Sequence, residues 1–340
     1  MKKGLLAVLI SFFAATLTQA QDVHFSQFYY SPFTLNPALA GAMDGTYRFG
    51  GIYKNQWSSI SSPFVYSTPS ISADVKLFSG GFNNDYLGVG LLLLNDRSGD
   101  GNLTNLTAML SLAYHQSLDR EGNYHLAIGM QGGVVQKSID FAKLDFGDEF
   151  DGLGFNGLTA EQFKYYQISY MDFAAGVALY GVPNNHSRFQ VGASVFHLTT
   201  PNETFFAESD NQLDMRYVVH GSMAFRVGSK IYFFPFAQYQ FQNNDNELVV
   251  GANFGYNMNQ STRGIPQIFY FGVFNRLRYD VIPTVGVMMK GFQAGLSYDV
   301  NISSDLNPAT GGKGGFEIAL SYMGNIIPPK HIKRIFCPQF

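Results

Sequence analysis

The sequence predicts an all-β protein: a transmembrane antiparallel β-barrel of about 14 strands, with a segment before the barrel and a tail after it. Three observations lead to this fold class. Long stretches alternate strictly between apolar and polar residues, the N-terminus has the form of an export signal, and the longest connections between predicted strands all fall on one side. Together they favour a membrane barrel over a large soluble sandwich.

The composition agrees with a wall that faces lipid. Charged residues make up 14% of the 340 residues and aromatic residues 16%, whereas charged residues reach about 25% in soluble domains. The 25 acidic side chains outnumber the 22 basic ones, which argues against a nucleic-acid partner. The only cysteine is Cys337, so no internal disulfide can form.

Residues 1–20 have the three parts of a cleavable signal peptide. Lys2 and Lys3 come first, an apolar run follows from Leu5 to Leu17, and small and polar residues precede the cut. The exported chain would begin at Gln21, and because this residue is not cysteine, N-terminal lipidation is not expected. Beyond the signal, no apolar run approaches the ~18 to 20 residues of a spanning helix.

Alternation with a period of two locates the strands. Between Phe292 and Val300 every second residue is apolar, and the residues between them are polar or small. Segments of about 9 to 11 residues with this pattern suit tilted transmembrane strands. The predicted strands lie near residues 46–56, 64–77, 85–95, 103–117, 123–137, 164–181, 187–199, 213–228, 230–242, 246–258, 266–278, 281–290, 292–301 and 314–323.

The lengths of the connections test this topology. The longest are 95–103, 138–163, 200–212 and 302–313, and all four are odd-numbered in chain order. Outer-membrane barrels place short turns in the periplasm and long loops outside, so we expect an integral outer-membrane protein whose N- and C-termini are both periplasmic. The chain then divides into a signal peptide (1–20), a periplasmic N-terminal segment (21–45), the barrel (46–323) and a periplasmic C-terminal tail (324–340).

The polar face of each predicted strand should line the lumen, and charged residues collect there. Two interpretations are open: the positive charges bind an acidic partner, or the charges neutralise one another in an ion-pair network. The cationic candidates for partner binding are Arg48, Lys54, Lys76, Arg216, Arg226, Arg276 and Arg278, and the acidic residues that accompany them are Asp74, Asp172, Asp299 and Glu317.

The sequence contains no recognisable catalytic, cofactor or metal site. It lacks a Gly-x-Ser-x-Gly elbow, a His-Glu-x-x-His motif and a phosphate-binding loop. His115 and His125 face inward on adjacent predicted strands without a nucleophile or a metal-spaced partner. The acidic loop around Asp145 and Asp151 lacks the ordered spacing of a calcium loop, so we expect it to be solvated. These features indicate a protein that is not an enzyme.

Segments that contain proline flank the barrel. In the stretch SPFTLNPALAGAMDG, Pro32 and Pro37 remove backbone donors and disfavour helix just before them. This segment is expected either to plug the lower mouth of the barrel or to lie along its rim as a docking strip. The closing IIPPKHIKRIFCPQF is either a solvated basic tail or a contact for an acidic partner or anionic lipid head groups.

The two ends of the exported chain resemble a known family. The segment QDVHFSQFYYSPFTLNPALAG, followed by TYRFGGIYKNQWSSI and SPFVYSTPSISADV, is similar to the PorP/SprF family of type IX secretion system outer-membrane proteins of Bacteroidetes. The segment GGFEIALSY and the final Cys-Pro-Gln-Phe also resemble the ends of that family. The resemblance extends over the whole exported chain, from Gln21 to Phe340.

The resemblance implies a receptor or anchor of the type IX system. Such a barrel would hold a secreted cell-surface protein, for example a gliding adhesin, through the C-terminal sorting domain of that protein, and would contact periplasmic secretion or gliding components. The residues that would then dock or plug on the periplasmic side are Asn36, Pro37, Ala38, Gly41, Lys330, Lys333 and Arg334. The alternative is an outer-membrane transport channel for small or hydrophobic solutes with an N-terminal plug, because fatty-acid transport barrels also carry an Asn-Pro-Ala segment near the N-terminus.

Overall fold

In the computed structural model, 14 strands pair in chain order and close into a barrel in which every neighbouring pair is antiparallel. The structure describes residues 22–56, 66–79, 84–99, 101–144, 146, 149, 166–205, 211–259, 266–304 and 307–326. The strands are β1 (Tyr47–Gln56), β2 (Tyr66–Leu77), β3 (Tyr86–Ser98), β4 (Leu103–Ser117), β5 (Tyr124–Ser138), β6 (Gln167–Asn184), β7 (Ser187–Phe196), β8 (Arg216–Val227), β9 (Ile231–Gln242), β10 (Asp245–Asn257), β11 (Gln267–Arg276), β12 (Asp280–Met289), β13 (Phe292–Asn301) and β14 (Lys313–Gly324). The fold class predicted from the sequence is confirmed.

The barrel closes where the first strand meets the last. Tyr47 lies opposite Gly324 at one end of the β1–β14 pair, and Gln56 lies opposite Gly315 at the other. We call the end at Tyr47 and Gly324 the terminal rim, because the chain enters and leaves the barrel there. The other end is the opposite rim.

The helices are short. They comprise α1 (Pro32–Leu35), α2 (Asn307–Thr310) and 3-10 turns at Phe28–Tyr30, Pro37–Leu39 and Phe141–Lys143. Within the described ranges, no helix is long and apolar enough to cross a membrane.

Burial along the strands follows the predicted alternation, with the apolar side chains on the outside. On β4, Leu110 and Leu112 are 58% and 55% exposed, whereas Ser111 between them is fully buried. On β13, Leu296 and Tyr298 point outward while Asp299 is buried. An apolar outer surface and a polar interior are what a bilayer requires of a barrel wall.

One lumen candidate is misplaced by the sequence prediction. The predicted eleventh strand extends to residue 278, but β11 ends at Arg276 and a tight turn follows. Arg278 lies in that turn with a φ of 76°, and its side chain is exposed. Arg278 therefore does not line the lumen, because the alternation of apolar and charged residues continues past the last paired residue.

We expect a charge on the outer face to destabilise the barrel. Leu110 lies at the middle of β4, so the substitution Leu110→Arg should lower the free energy of unfolding by about 2–4 kcal/mol, because the guanidinium would face lipid. Urea unfolding of the barrel reconstituted in vesicles would measure the change. Leu110→Met is the matched control, and equal stability of the two variants would contradict the outward assignment of this face.

Candidate functional site: a lumen filled by the N-terminal segment

Residues 22–45, which we call the plug, lie inside the barrel. Nearly all side chains from residues 25 to 43 are buried. The plug begins close to the opposite rim, where Asp22 contacts Arg216 at the start of β8. It ends at the terminal rim, where the amide of Thr46 donates to the carbonyl of Gly324. The segment therefore passes through most of the length of the lumen.

Prolines and one asparagine set the local structure of the plug. Pro32 occupies the first turn of α1, a position that needs no backbone donor, and Pro37 does the same in the 3-10 turn that follows. Asn36 separates the two turns in an extended conformation, and its Oδ1 accepts a hydrogen bond from the amide of Ala38 at 2.9 Å. This is an N-cap, which satisfies one of the free amides at the start of a turn.

Asn36 also anchors the plug to the wall. Its Nδ2 donates to the carbonyl oxygens of Val177 at 2.9 Å and Ala193 at 3.2 Å, which face each other across β6 and β7. The same amide nitrogen lies 3.1 Å from Nε2 of His220 on β8, so its two hydrogens are shared among three acceptors. The side chain of Asn36 is fully buried, so these bonds replace water that it cannot reach.

The wall has no side chains where the plug approaches most closely. A Cβ atom added at Gly88 on β3 would overlap the carbonyl of Ala40, and one at Gly129 on β5 would overlap the backbone of Pro37 and Ala38. Only glycine admits a neighbouring backbone at this distance. The glycines thus form a seat for the Asn-Pro-Ala turn.

The body of the plug, residues 28–43, is mainly apolar. Phe33 is fully buried against β3 and β4, and the ring of Tyr29 stacks on Phe236 at a centroid distance of 4.6 Å. Tyr30 and Tyr270 share a hydrogen bond of 2.9 Å between their hydroxyl groups. Each fully buried large apolar side chain contributes roughly 1.5–3 kcal/mol, so this packing holds the body firmly.

Histidine and tyrosine side chains hold the plug near the terminal rim. His115 Nε2 lies 2.7 Å from the carbonyl oxygen of Ala40 and must donate to it, so Nδ1 accepts from the hydroxyl of Tyr180 at 2.8 Å. Tyr86 stacks on the His115 ring and bonds the Tyr180 hydroxyl. The two inward histidines expected from the sequence thus lie in one aromatic cluster, because His125 stacks on Tyr180.

Charged residues surround the first part of the plug, residues 22–27, which we call the arm. The carboxylate of Glu317 accepts from the amides of Ser26 at 2.6 Å and Gln27 at 2.9 Å. Lys54 donates to the carbonyl oxygen of His24 at 3.1 Å. Lys54 also lies 3.6 Å from Glu317 and 3.7 Å from Asp299, so the wall contacts the main chain of the arm through paired charges.

Arg276 lies at the centre of the acidic part of this network. Its guanidinium contacts Asp280 at 2.5 Å, Glu247 at 3.0 Å and Asp299 at 3.4 Å, and it donates to the Ser26 hydroxyl at 2.9 Å. Because several carboxylates share one buried cation, removal of Arg276 would leave uncompensated charge in the barrel.

The arm begins at a second cluster of charged residues, which lies on β6, at the end of β7 and at the start of β8. The Asp22 carboxylate lies 3.0 Å from Nε of Arg216 and 2.5 Å from Nε2 of His197, whose Nδ1 lies 2.7 Å from Asp172. Burial opposes the charged imidazole, but the carboxylates of Asp22 and Asp172 outweigh this effect and raise the pKa of His197 to about 9. Burial also opposes the Asp22 carboxylate, yet His197 and Arg216 hold the pKa of Asp22 well below its usual range.

His24 in the middle of the arm is different. Burial lowers the pKa of His24 to about 4, so its ring is neutral near pH 7. The 3.5 Å contact between His24 and Glu247 is therefore not an ion pair at that pH. The polar contacts that hold the arm therefore come from the Asp22 carboxylate, the Ser26 hydroxyl and the main chain.

Basic side chains hold the plug at the terminal rim as well. Arg48 forms an ion pair of 2.8 Å with Asp74. The same carboxylate accepts a hydrogen bond of 2.8 Å from the amide of Gly41 in the plug. Lys76 donates to the carbonyl oxygen of Met43 at 2.5 Å. Arg188 contacts Asp44 at 2.6 Å. Both residues border a recess that is open to solvent at the terminal rim.

Most lumen candidates from the sequence therefore lie inside and bind this chain's own groups. Arg48, Lys54, Lys76, Arg216 and Arg276 contact the plug or the acidic residues around it. Arg226 is half-buried on β8 near the terminal rim. The docking candidates Asn36, Pro37, Ala38 and Gly41 are buried in the lumen, where no rim surface presents them to another protein. Lys330, Lys333 and Arg334, with Asp145 and Asp151, lie outside the described residues.

Sequence reasoning missed several residues of the site. Asp22 and Ser26 precede the first predicted strand, where there is no alternation, and Glu247 was overlooked although its position next to Leu248 in the predicted strand places it on the inward face. The glycines of the seat carried a signal, because Gly88 and Gly129 occupy inward positions of regular strands, where glycine often marks the close approach of another backbone. Within the described residues, no group of three or more His, Cys, Asp or Glu side chains is arranged to hold a metal ion.

A closed barrel with an apolar outer face and a charged, filled interior defines an outer-membrane β-barrel protein. The family profile described as type IX secretion system membrane protein PorP/SprF matches residues 17–322. The chain belongs to the PorP/SprF family. No curated protein matches the sequence.

Similar solved structures include transport barrels. The toluene transporter TbuX of Ralstonia pickettii is 10% identical, with 85% of this chain and 92% of that chain covered and a TM-score of 0.48. The toluene transporter TodX of Pseudomonas putida is 9% identical, with 86% and 93% covered and a TM-score of 0.46. A Pseudomonas aeruginosa FadL homologue is 11% identical, with 85% and 92% covered and a TM-score of 0.41. Likeness at this level carries no functional argument.

The glycine seat can be tested with a matched pair of substitutions. Gly129→Ala should lower the free energy of unfolding by about 1–3 kcal/mol, because its methyl group would overlap the plug backbone. Gly221→Ala should have little effect, because the nearest atom to its Cβ would be a Val191 methyl carbon at 3.7 Å. Urea unfolding of the purified barrels measures both, and equal stability would show that the plug does not need the seat.

The charged state of His197 should make stability depend on alkaline pH. The folded pKa of about 9 exceeds the ordinary histidine pKa of 6.5, so this stabilisation is complete below pH 6.5 and is lost as the pH rises through 9. The shift corresponds to about 3 kcal/mol at most. We expect the free energy of unfolding to fall more steeply between pH 7 and pH 10 in the natural chain than in His197→Gln. Equal pH dependence of the two proteins would contradict the ion pairs of His197 with Asp22 and Asp172.

Proposed function

We propose that this barrel is a non-enzymatic receptor or anchor of the type IX secretion system. It would hold a secreted cell-surface protein, such as a gliding adhesin, through the C-terminal sorting domain of that protein, and would connect it to periplasmic secretion or gliding components. The observation that carries the proposal is the filled lumen. A barrel with a buried, ion-paired plug suits protein binding better than free diffusion of solutes.

The positions of the charges suggest where partners bind. Arg48, Lys54, Lys76, Arg216 and Arg276 would serve first to hold the plug, since each already contacts the chain's own polar groups. In the orientation we propose, the termini of the barrel face the periplasm and the opposite rim faces the outside. The secreted partner would then contact the opposite rim.

The terminal rim would serve the periplasmic side. Its recess is bordered by Lys76, Arg188 and Asp44, and the chain leaves the barrel at the same rim after Gly324. In this proposal the basic residues of the tail, Lys330, Lys333 and Arg334, contact an acidic component of the machinery or anionic lipid head groups. Asn36, Pro37, Ala38 and Gly41 would support this surface from inside by fixing the plug.

A transport channel for small or hydrophobic solutes is the second candidate. The recess at the terminal rim favours it, because aromatic side chains such as Tyr86, Tyr180 and Phe236 line part of that recess. Transport through the lumen would require the plug to move, which would break the contacts of Asn36 and Glu317.

Two measurements on the natural chain separate the candidates. The tagged barrel, extracted from its native outer membrane in mild detergent, should retain a large secreted protein that mass spectrometry identifies by its C-terminal sorting domain. The purified barrel should conduct no steady current in a planar bilayer, whereas a chain without residues 22–43 should conduct. Steady ohmic current from the intact barrel, with no retained protein, would favour the channel instead.

A further inference from the structure

The arm and the body of the plug are held by different forces. The body is packed through buried aromatic and aliphatic side chains such as Phe33 and Leu39. The arm is held mainly by polar groups: the Asp22 carboxylate binds Arg216, two amides bind Glu317 and a carbonyl binds Lys54. The Ser26 hydroxyl bonds Asp299 and Arg276, and Phe25 is the one apolar side chain of the arm in the buried core. Polar groups can exchange one partner for an equivalent one, whereas an apolar body that leaves its site exposes its surface to water. The arm buries far less apolar surface than the body, chiefly that of Phe25, so it can leave at a smaller cost.

The site that binds Asp22 is built by the barrel itself. The guanidinium carbon of Arg216 lies 4.4 Å from the centroid of the Phe196 ring. Its Nη1 lies 3.4 Å from Oε1 of Gln240. Asp172, which is almost fully buried, orients the His197 ring from its far side at 2.7 Å. Both cations are thus positioned by residues of β6 to β9 and not by Asp22. A carboxylate from another chain would find the same two groups.

The neighbouring contacts recognise a peptide. The carboxylate of Glu317 binds two consecutive main-chain amides, and Lys54 binds a main-chain carbonyl two residues earlier. Any peptide supplies these groups. The side chains that the site recognises are a carboxylate, which pairs with Arg216 and His197, and a hydroxyl four residues later, which bonds Asp299 and Arg276. A free phosphate or a lipid head group would leave the amide and carbonyl contacts unused.

The carboxylate site can be reached from the opposite rim. Asp22 retains 21% side-chain exposure, and a shallow recess at this rim is lined by Asp22, Arg216 and Glu247. In the proposed orientation this rim faces the secreted partner.

We propose that Arg216 and His197 form a binding site for an acidic peptide segment of the secreted partner, occupied here by Asp22 of the chain's own arm. The proposal rests on the receptor function given above and names the chemistry that the partner presents. Exchange conserves the charge balance, because one carboxylate replaces another. Release of the arm without a replacement would leave the buried Arg216 without its carboxylate and His197 with Asp172 alone, so the arm should leave only when a suitable ligand arrives.

A peptide copy of the arm tests the site. The probe is a fluorescein-labelled peptide with the sequence of residues 22–27, DVHFSQ, added to the full exported chain in detergent, with fluorescence anisotropy as the measurement. The variant Asp22→Asn weakens the competing arm, so it should bind the probe at least about ten-fold more tightly than the natural chain. The analogue peptide NVHFSQ should bind neither protein measurably.

Further substitutions in the Asp22→Asn background locate the binding. Arg216→Gln and, separately, His197→Gln should each abolish probe binding, while Arg97→Gln, which removes an exposed cation at the same rim, should not change it. Heat-modifiable gel mobility shows which variants are folded, and only folded ones are compared. Failure of folded Asp22→Asn to bind the probe, or full binding by folded Arg216→Gln, would overturn the proposal.

Capture from native membranes separates this inference from the receptor function. If the natural barrel and its folded Arg216→Gln variant retain the same secreted protein equally well, the receptor function stands and the peptide site is refuted. If the variant loses a partner that the natural barrel retains, both are supported. If neither retains a secreted protein, the receptor function fails and the probe measurements alone decide whether the site binds acidic peptides.

Discussion

The pairing of buried charges inside a closed wall is the constraint on which this structure depends. Charges removed from water cost several kcal/mol each unless nearby groups compensate them completely. The wall alone does not complete that compensation, because Arg216 pairs with Asp22 of the plug and Glu317 accepts from plug amides. The N-terminal segment is thus as much a part of the electrostatic structure as the strands are.

The plug and the wall are complementary in shape as well as in charge. Gly88 and Gly129 admit the backbone of the plug, and Asn36 places its amide against two carbonyls and one imidazole at the far wall. Apolar packing fixes the body while polar contacts fix the arm. This division lets one element act both as a permanent filling of the lumen and as an exchangeable ligand near its mouth.

The sequence predicted the wall well and the interior poorly, for a physical reason. Alternation is local, so all the strands and the inward direction of Lys54, Arg216 and Arg276 could be read from neighbouring residues. The path of the plug depends on contacts between residues that are far apart in the chain, such as Asn36 with His220. The prolines indicated an irregular segment, but no pattern of neighbouring residues indicated that this segment passes through the lumen. Arg278 shows the opposite error, in which a local pattern continues into a turn.

The contact between Ser26 and Glu317 joins residues 291 positions apart. The chain is synthesised from its N-terminus, so the segment made first binds a strand made last. Folding that depends on contacts so distant in sequence is intrinsically slow. Two partners of the arm, Asp299 and Glu317, do not exist until β13 and β14 have been delivered to the membrane, and so a segment that is translated early completes its contacts only when the last strands arrive.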